Sequence, residues 1–247
     1  MDYKGGFMAE SGHAKNVEKF AQMISFVQGY GADYAPSNAA IGVAALQAKL
    51  AAANAGIDGV TSALAPWKVV VNDRQNAFEG IRKLTTRVVN SFDASGAPKN
   101  AVEDAKSFKR KIDGARAKTL PTDDPNTPED ESKGNSVSQQ SYTQLVEHLD
   151  NLIELLDSTG TYAPNETELQ LATLQTFSTS LKSANTAVLN ASTPLSNSRI
   201  SRDDAMYAAD SGLVDLAALT KKYVKSLYGA DSPQYKQISG LEFTRPR

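Results

Sequence analysis

Residues 43–92 read VAALQAKLAAANAGIDGVTSALAPWKVVVNDRQNAFEGIRKLTTRVVNSF, and the spacing of their apolar positions decides the fold. Val43, Leu46, Leu50, Ala53, Ile57, Val60, Leu64, Trp67, Val71, Arg74, Phe78, Ile81, Thr85, Val88 and Phe92 follow one another in alternating steps of three and four. That is the period of one helical face, and a stripe kept for so long belongs to a long helix packed along its length. A helix of about 55 residues rises roughly 80 Å. Pro66 sits near its middle and removes a backbone bond, so the helix should kink there or split into a hairpin. The unbroken phase favours a kinked continuous helix.

Upstream, Val17, Phe20, Ala21, Ile24 and Val27 make a short amphipathic helix stopped by Gly29-Tyr30-Gly31, and Tyr34-Ala35-Pro36 forms a turn. Downstream, Pro98 suits a helical first turn, and a third helix is expected over 99–118. The order is short, long, short.

The same order recurs. Val17-Glu18, Phe20, Ile24, Val27 and Gly31 match Val146-Glu147, Leu149, Ile153, Leu156 and Gly160 at a shift of 129. Tyr34-Ala35-Pro36 returns as Tyr162-Ala163-Pro164 at a shift of 128, and Ser91, Pro98 and Phe108 match Ser226, Pro233 and Phe243 at a shift of 135. The second long stripe runs through Leu174, Leu181, Val188 and Leu195, then Arg199, Arg202, Met206, Leu213, Thr220 and Leu227, with Pro194 in the place of Pro66. Asn165 followed by Glu168 has the spacing of a capping box at its start. Its last element, after Pro233, is short and ends at Gly240.

The chain therefore reads as an N-terminal tail (1–12), a first helical repeat (13–118), an acidic proline-rich linker (119–137) and a second repeat (138–247). The expected fold is all-α, an elongated antiparallel bundle with four-helix character. No stretch alternates with period two.

Composition narrows function. The 247 residues include no cysteine and two histidines, with 26 Lys plus Arg against 28 Asp plus Glu. Disulfides, thiolate metal sites and cysteine nucleophiles are excluded, as is a three-histidine zinc site within one chain. The net charge of −2 gives no overall attraction to nucleic acid. The basic run from Lys106 to Lys118 is interrupted by Asp113 and reads as a solvated face. The acidic linker lacks the central glycine of a calcium loop. Glu10 and His13 have the spacing of a di-iron pair, but they precede the first strong periodicity, and His148 lacks a glutamate three residues before it. His148 reads as a partly exposed helix residue. No phosphate loop or nucleophile elbow occurs, so no catalytic residue, metal or cofactor is assigned.

Arg74, Arg199 and Arg202 occupy stripe positions where hydrophobes are expected. A buried arginine needs a partner, with Asp73, Glu79, Asp203 and Asp204 nearest in sequence, and these three are the candidate ligand-binding residues for a small anion. The bland alternative is a structural ion-pair layer. No export signal precedes the first helix and no apolar run reaches the roughly 18 to 20 residues of a spanning helix, which points to the cytoplasm and to no membrane span.

Tyr162-Ala163-Pro164-Asn165-Glu166, Asn197-Ser198-Arg199-Ile200 with Arg202, Lys222-Tyr223-Val224-Lys225-Ser226, Ser232-Pro233-Gln234-Tyr235-Lys236-Gln237 and Thr86-Arg87-Val88-Val89-Asn90 resemble a group of uncharacterised bacterial helical proteins. The resemblance implies the same duplicated all-helical build and brings no activity, cofactor or site residue. The expected function is a non-catalytic scaffold that binds protein, itself or another, and forms homo-oligomers. The alternative is a bundle that binds an anion at the arginine layer.

Overall fold

The structure, a computed structural model, describes residues 10–114 and 140–246. Residues 1–9 of the expected tail, the acidic linker at 119–137, and Arg116 and Lys118 of the basic run lie outside them, while residues 10–12 of that tail belong to the first helix. The described residues are all-α, with no strand. The helices are α1 (Glu10–Gly29), α2 (Val43–Phe78), α3 (Ile81–Ala94), α4 (Lys99–Asp113), α5 (Tyr142–Thr159), α6 (Leu171–Tyr207), α7 (Leu213–Tyr228) and α8 (Pro233–Ser239).

Each expected long helix is in fact two. The first stripe breaks after the 36 residues of α2 and the second after the 37 of α6. At the first break the Glu79 N–H turns back to Asn76 O, and Gly80, a poor helix former, caps α3. At the second, Asp210 takes the left-handed conformation, φ 61°, which ends a helix. Gly212 is required there, because a Cβ would lie 2.7 Å from the Ala208 backbone.

Neither proline breaks its helix: Pro66 lies inside α2 and Pro194 inside α6. The carbonyls each deprives of a donor belong to Ser62 and Asn190, both exposed residues, where an unpaired carbonyl costs least. The start of α6 also differs from expectation. Asn165 does not cap it; a short 3₁₀ turn, Thr167–Leu169, precedes it, and Glu168 pairs with Arg87 instead. The capping box of the second half is at α5, where the Ser141 and Gln144 side chains satisfy each other's backbone N–H groups. α4 ends earlier than expected, at the left-handed Gly114.

The two halves share one local device. The Tyr34 hydroxyl donates to Ile41 O at 2.6 Å, and the Tyr162 hydroxyl donates to Leu169 O at 2.9 Å. Each buried phenol thus closes the loop that leads from a short helix into a long one. Burial pushes the Tyr162 phenol up to about 12 against a hydrogen bond with Ser91, as expected of an apolar setting.

Contacts divide the chain into two compact units. The first comprises Met1–Trp67 with Ala191–Arg247, the second Lys68–Asn190. Each unit therefore draws its first part from one sequence repeat and its last part from the other. The core of the first unit joins Phe20, Met23 and Val27 of α1 to Leu46 of α2, Leu213 and Ala217 of α7, and Ile238 of α8. The core of the second joins Phe92 of α3, Ala105 and Ile112 of α4, Leu149 and Leu152 of α5, and Leu181 of α6. Each of these side chains larger than alanine contributes about 1.5–3 kcal/mol on removal from water. Among the described residues no helix is long and apolar enough to cross a membrane.

His148 differs from its sequence reading. It is 7% exposed on α5, and neither ring nitrogen has a hydrogen-bond partner. Burial, then the charge of Lys111, holds its pKa below the ordinary 6.5, with Glu147 opposing. Because the folded value is lowered, the stability contributed by the neutral ring is complete above the unfolded value and is lost as pH falls through the folded one. His148→Leu should therefore flatten the acid side of the stability profile. Urea midpoints at about pH 7.5 and about pH 5.5 check this, and an equal loss in wild type and variant refutes it.

Candidate functional site

The site lies wholly in the first unit, where the N-terminal half of α1, the end of α6 and the face of α7 form a groove that holds residues 240–246. The α1 stripe extends back from Phe20 by helical steps to Asn16 and His13. These are 1% and 2% exposed, polar residues at core positions. Buried polar groups must be paired, and these are. His13 Nδ1 is 2.8 Å from the Tyr207 hydroxyl at the end of α6. Asn16 Nδ2 donates to the same hydroxyl at 3.3 Å, and burial raises the Tyr207 phenol pKa.

The remaining capacity of Asn16 goes to the segment. Its Nδ2 donates to Thr244 O at 2.7 Å, and the Thr244 N–H donates to its Oδ1 at 3.1 Å. One side-chain amide thus takes both backbone bonds of one residue, as a neighbouring β-strand would. Two lysines flank it. Lys19 on α1 donates to Glu242 O at 2.7 Å, and Lys221 on α7 donates to Leu241 O at 2.5 Å and Ser239 O at 3.1 Å. Burial lowers the Lys221 pKa, with Glu242 partly restoring it.

Two side chains of the segment are also received. The Phe243 ring meets Phe20 edge-on with centroids 6.4 Å apart, and Lys221 Nζ lies 5.5 Å from its centroid. The Arg245 guanidinium donates to Tyr207 O at 2.9 Å and pairs with Asp215 at 2.6 Å. Asp215 also accepts from the Asp210 N–H, and Arg245 followed by that N–H holds its carboxyl below the usual range. The Asp210 turn that separates α6 from α7 therefore also orients the carboxylate that receives Arg245.

Asn16, Lys19 and Lys221 thus bond main-chain atoms of the segment, while Phe20 and Asp215 meet its aromatic ring and its guanidinium. No protein-family model, curated protein or solved structure matches the chain. Function is accordingly read from this geometry and from the sequence.

The arginines singled out in the sequence are distributed between the units. Arg202 is 5% exposed in the first unit, with Nε and Nη2 on Asp203 Oδ1 at 2.9 and 2.8 Å. Arg199 is half-buried one turn before it. Arg74 is half-buried in the second unit, its guanidinium 4.1 Å from the centroid of the Tyr142 ring, a cation–π contact. Among the described residues no group of three or more acidic or histidine side chains is placed to hold a metal.

His13 is on α1 rather than ahead of the helical periodicity. Sequence reading missed Asn16, Lys19, Tyr207, Lys221 and Arg245. One signal was present: His13, Asn16 and Phe20 keep steps of three and four, so the stripe begins a full turn before its first hydrophobe.

Proposed function

We propose that this protein is a non-catalytic helical scaffold that binds protein, and that the α1/α7 groove is its binding surface. The observation that carries this reading is the Asn16 amide satisfying both backbone groups of Thr244. A hydrogen bond to the main chain contributes about 0.5–1.5 kcal/mol net, so several together with one aromatic and one ionic contact suffice for a reversible peptide complex. A partner would present an extended segment with an aromatic residue and, two positions on, an arginine or lysine.

In the wild-type chain residues 240–246 compete at the millimolar-scale effective concentration of a tethered segment. The test therefore uses the full-length Phe243→Ala, Arg245→Ala double variant, whose own segment is weakened, and a fluorescent peptide of residues 239–247. Saturable binding is expected, about tenfold or more tighter than to wild type, and lost when Asn16→Leu is added. Absence of binding to a double variant that retains its helical circular dichroism overturns the proposal.

A further inference from the structure

We propose that the groove's partner is a second copy of this chain, two chains exchanging their 240–246 segments reciprocally. This rests on the reading of the groove given above and names its occupant. The side-chain contacts described above join the segment to α1, the end of α6 or α7: Asn16, Lys19, Lys221, Phe20, Tyr207 and Asp215. None depends on the segment belonging to the same chain. The segment seen in the groove is this chain's own, with Arg245 on Asp215 and carbonyls on both lysines.

The connection can open. One backbone bond, Leu241 N–H to Ile238 O at 3.2 Å, ties the segment to the end of α8. Gly240 at the junction has ordinary helical φ and ψ of −77° and −6°, and nothing lies within 4 Å of where its Cβ would be. Rotation about a glycine with no packed neighbour redirects the segment without disturbing the α8 core residue Ile238. Exchange then replaces each of the groove contacts with an identical interchain one, at the loss of the Leu241–Ile238 backbone bond. The equilibrium is set by protein concentration against the effective concentration of the tether, and the product is a closed two-fold dimer.

The absence of cysteine allows a direct test in full-length protein. Lys19→Cys and Glu242→Cys are placed in two differently tagged chains, which are mixed and treated with a short bismaleimide. The same two changes in one chain report whether the segment docks at all, and Ser95→Cys mixed with Glu242→Cys measures collisional background. Exchange yields an interchain product, joined through the two introduced thiols, that rises with protein concentration, exceeds background about tenfold, and is suppressed by excess 239–247 peptide. Interchain product at background, with efficient cross-linking inside the doubly substituted chain, overturns exchange and leaves the groove reading standing. Failure of the intrachain cross-link overturns both.

Discussion

Replacing Phe20 by alanine should cost about 3–5 kcal/mol of unfolding free energy, because a fully enclosed aromatic ring is lost and its neighbours close the cavity only in part. Phe20 is 0% exposed in the core of the first unit, among Met23, Leu213 and Ala217, which are equally enclosed. The same ring supplies the edge against which Phe243 packs. The variant should therefore both lower the urea midpoint and loosen residues 240–246, which limited cleavage after Glu242 by a glutamate-specific protease would register. Phe243→Ala separates the two effects. That ring is only half-buried, so its loss should free the segment at about 1 kcal/mol of stability. A double-mutant cycle between the two positions should give a coupling of about 0.5–1.5 kcal/mol. A Phe20→Ala loss below about 1 kcal/mol would mean the ring is not enclosed as described.

How much of this was legible depends on what leaves a mark on hydrophobic spacing. The helices were legible because Val43 to Phe92 keep their phase. Their breaks were not, and for the same reason. Phe78, Ile81 and Thr85 keep steps of three and four across the Gly80 turn, as do Met206, Ala209 and Leu213 across the left-handed Asp210. A turn of two to five residues that returns the chain to the same core face is invisible to a pattern that records only which face is buried. The prolines misled in the opposite sense. The carbonyls they orphan belong to exposed residues, and exposure at Ser62 and Asn190 is a tertiary fact. The candidate arginines were legible as stripe positions, and Asp203 was among the acids expected beside Arg202. The groove was hidden because Leu241-Glu242-Phe243-Thr244-Arg245 has no period, and because Asn16 and His13 look exposed to any scale that scores polarity. Their burial depends on Tyr207 and Thr244, which lie more than 190 residues away along the chain. Matching phenol-to-carbonyl closures at Tyr34 and Tyr162 lie in the two Tyr-Ala-Pro turns noted in the sequence. The compact units do not follow the order of the sequence: one joins residues 1–67 to 191–247 and the other is residues 68–190.

Two glycines one turn apart on α2 should respond to alanine with opposite signs. At Gly56 a Cβ would lie 2.8 Å from the Arg202 Cα and 3.2 Å from its Cβ, whereas at Gly59 the nearest atom is Ser198 Oγ at 3.8 Å. Glycine inside a helix costs about 0.8–1.0 kcal/mol relative to alanine, so Gly59→Ala should stabilise by about that amount. Gly56→Ala gains the same propensity but drives a methyl group into the backbone of α6. Overpacking of this kind costs about 1–3 kcal/mol, enough to reverse the sign, and Gly56→Leu should lose about 3 kcal/mol or more. Truncating Arg202 cannot relieve the clash, because the obstructing atom is its Cα and every residue has one. The Gly56→Ala, Arg202→Ala double variant should accordingly be less stable than either single variant. Thermal melts of the four proteins decide the matter, and a stabilising Gly56→Ala would mean that α2 and α6 do not approach so closely in this unit. If they do, Gly56 is what lets the Arg202 backbone lie against α2 while its guanidinium reaches Asp203. The arginine's burial is then a consequence of a missing side chain on the facing helix.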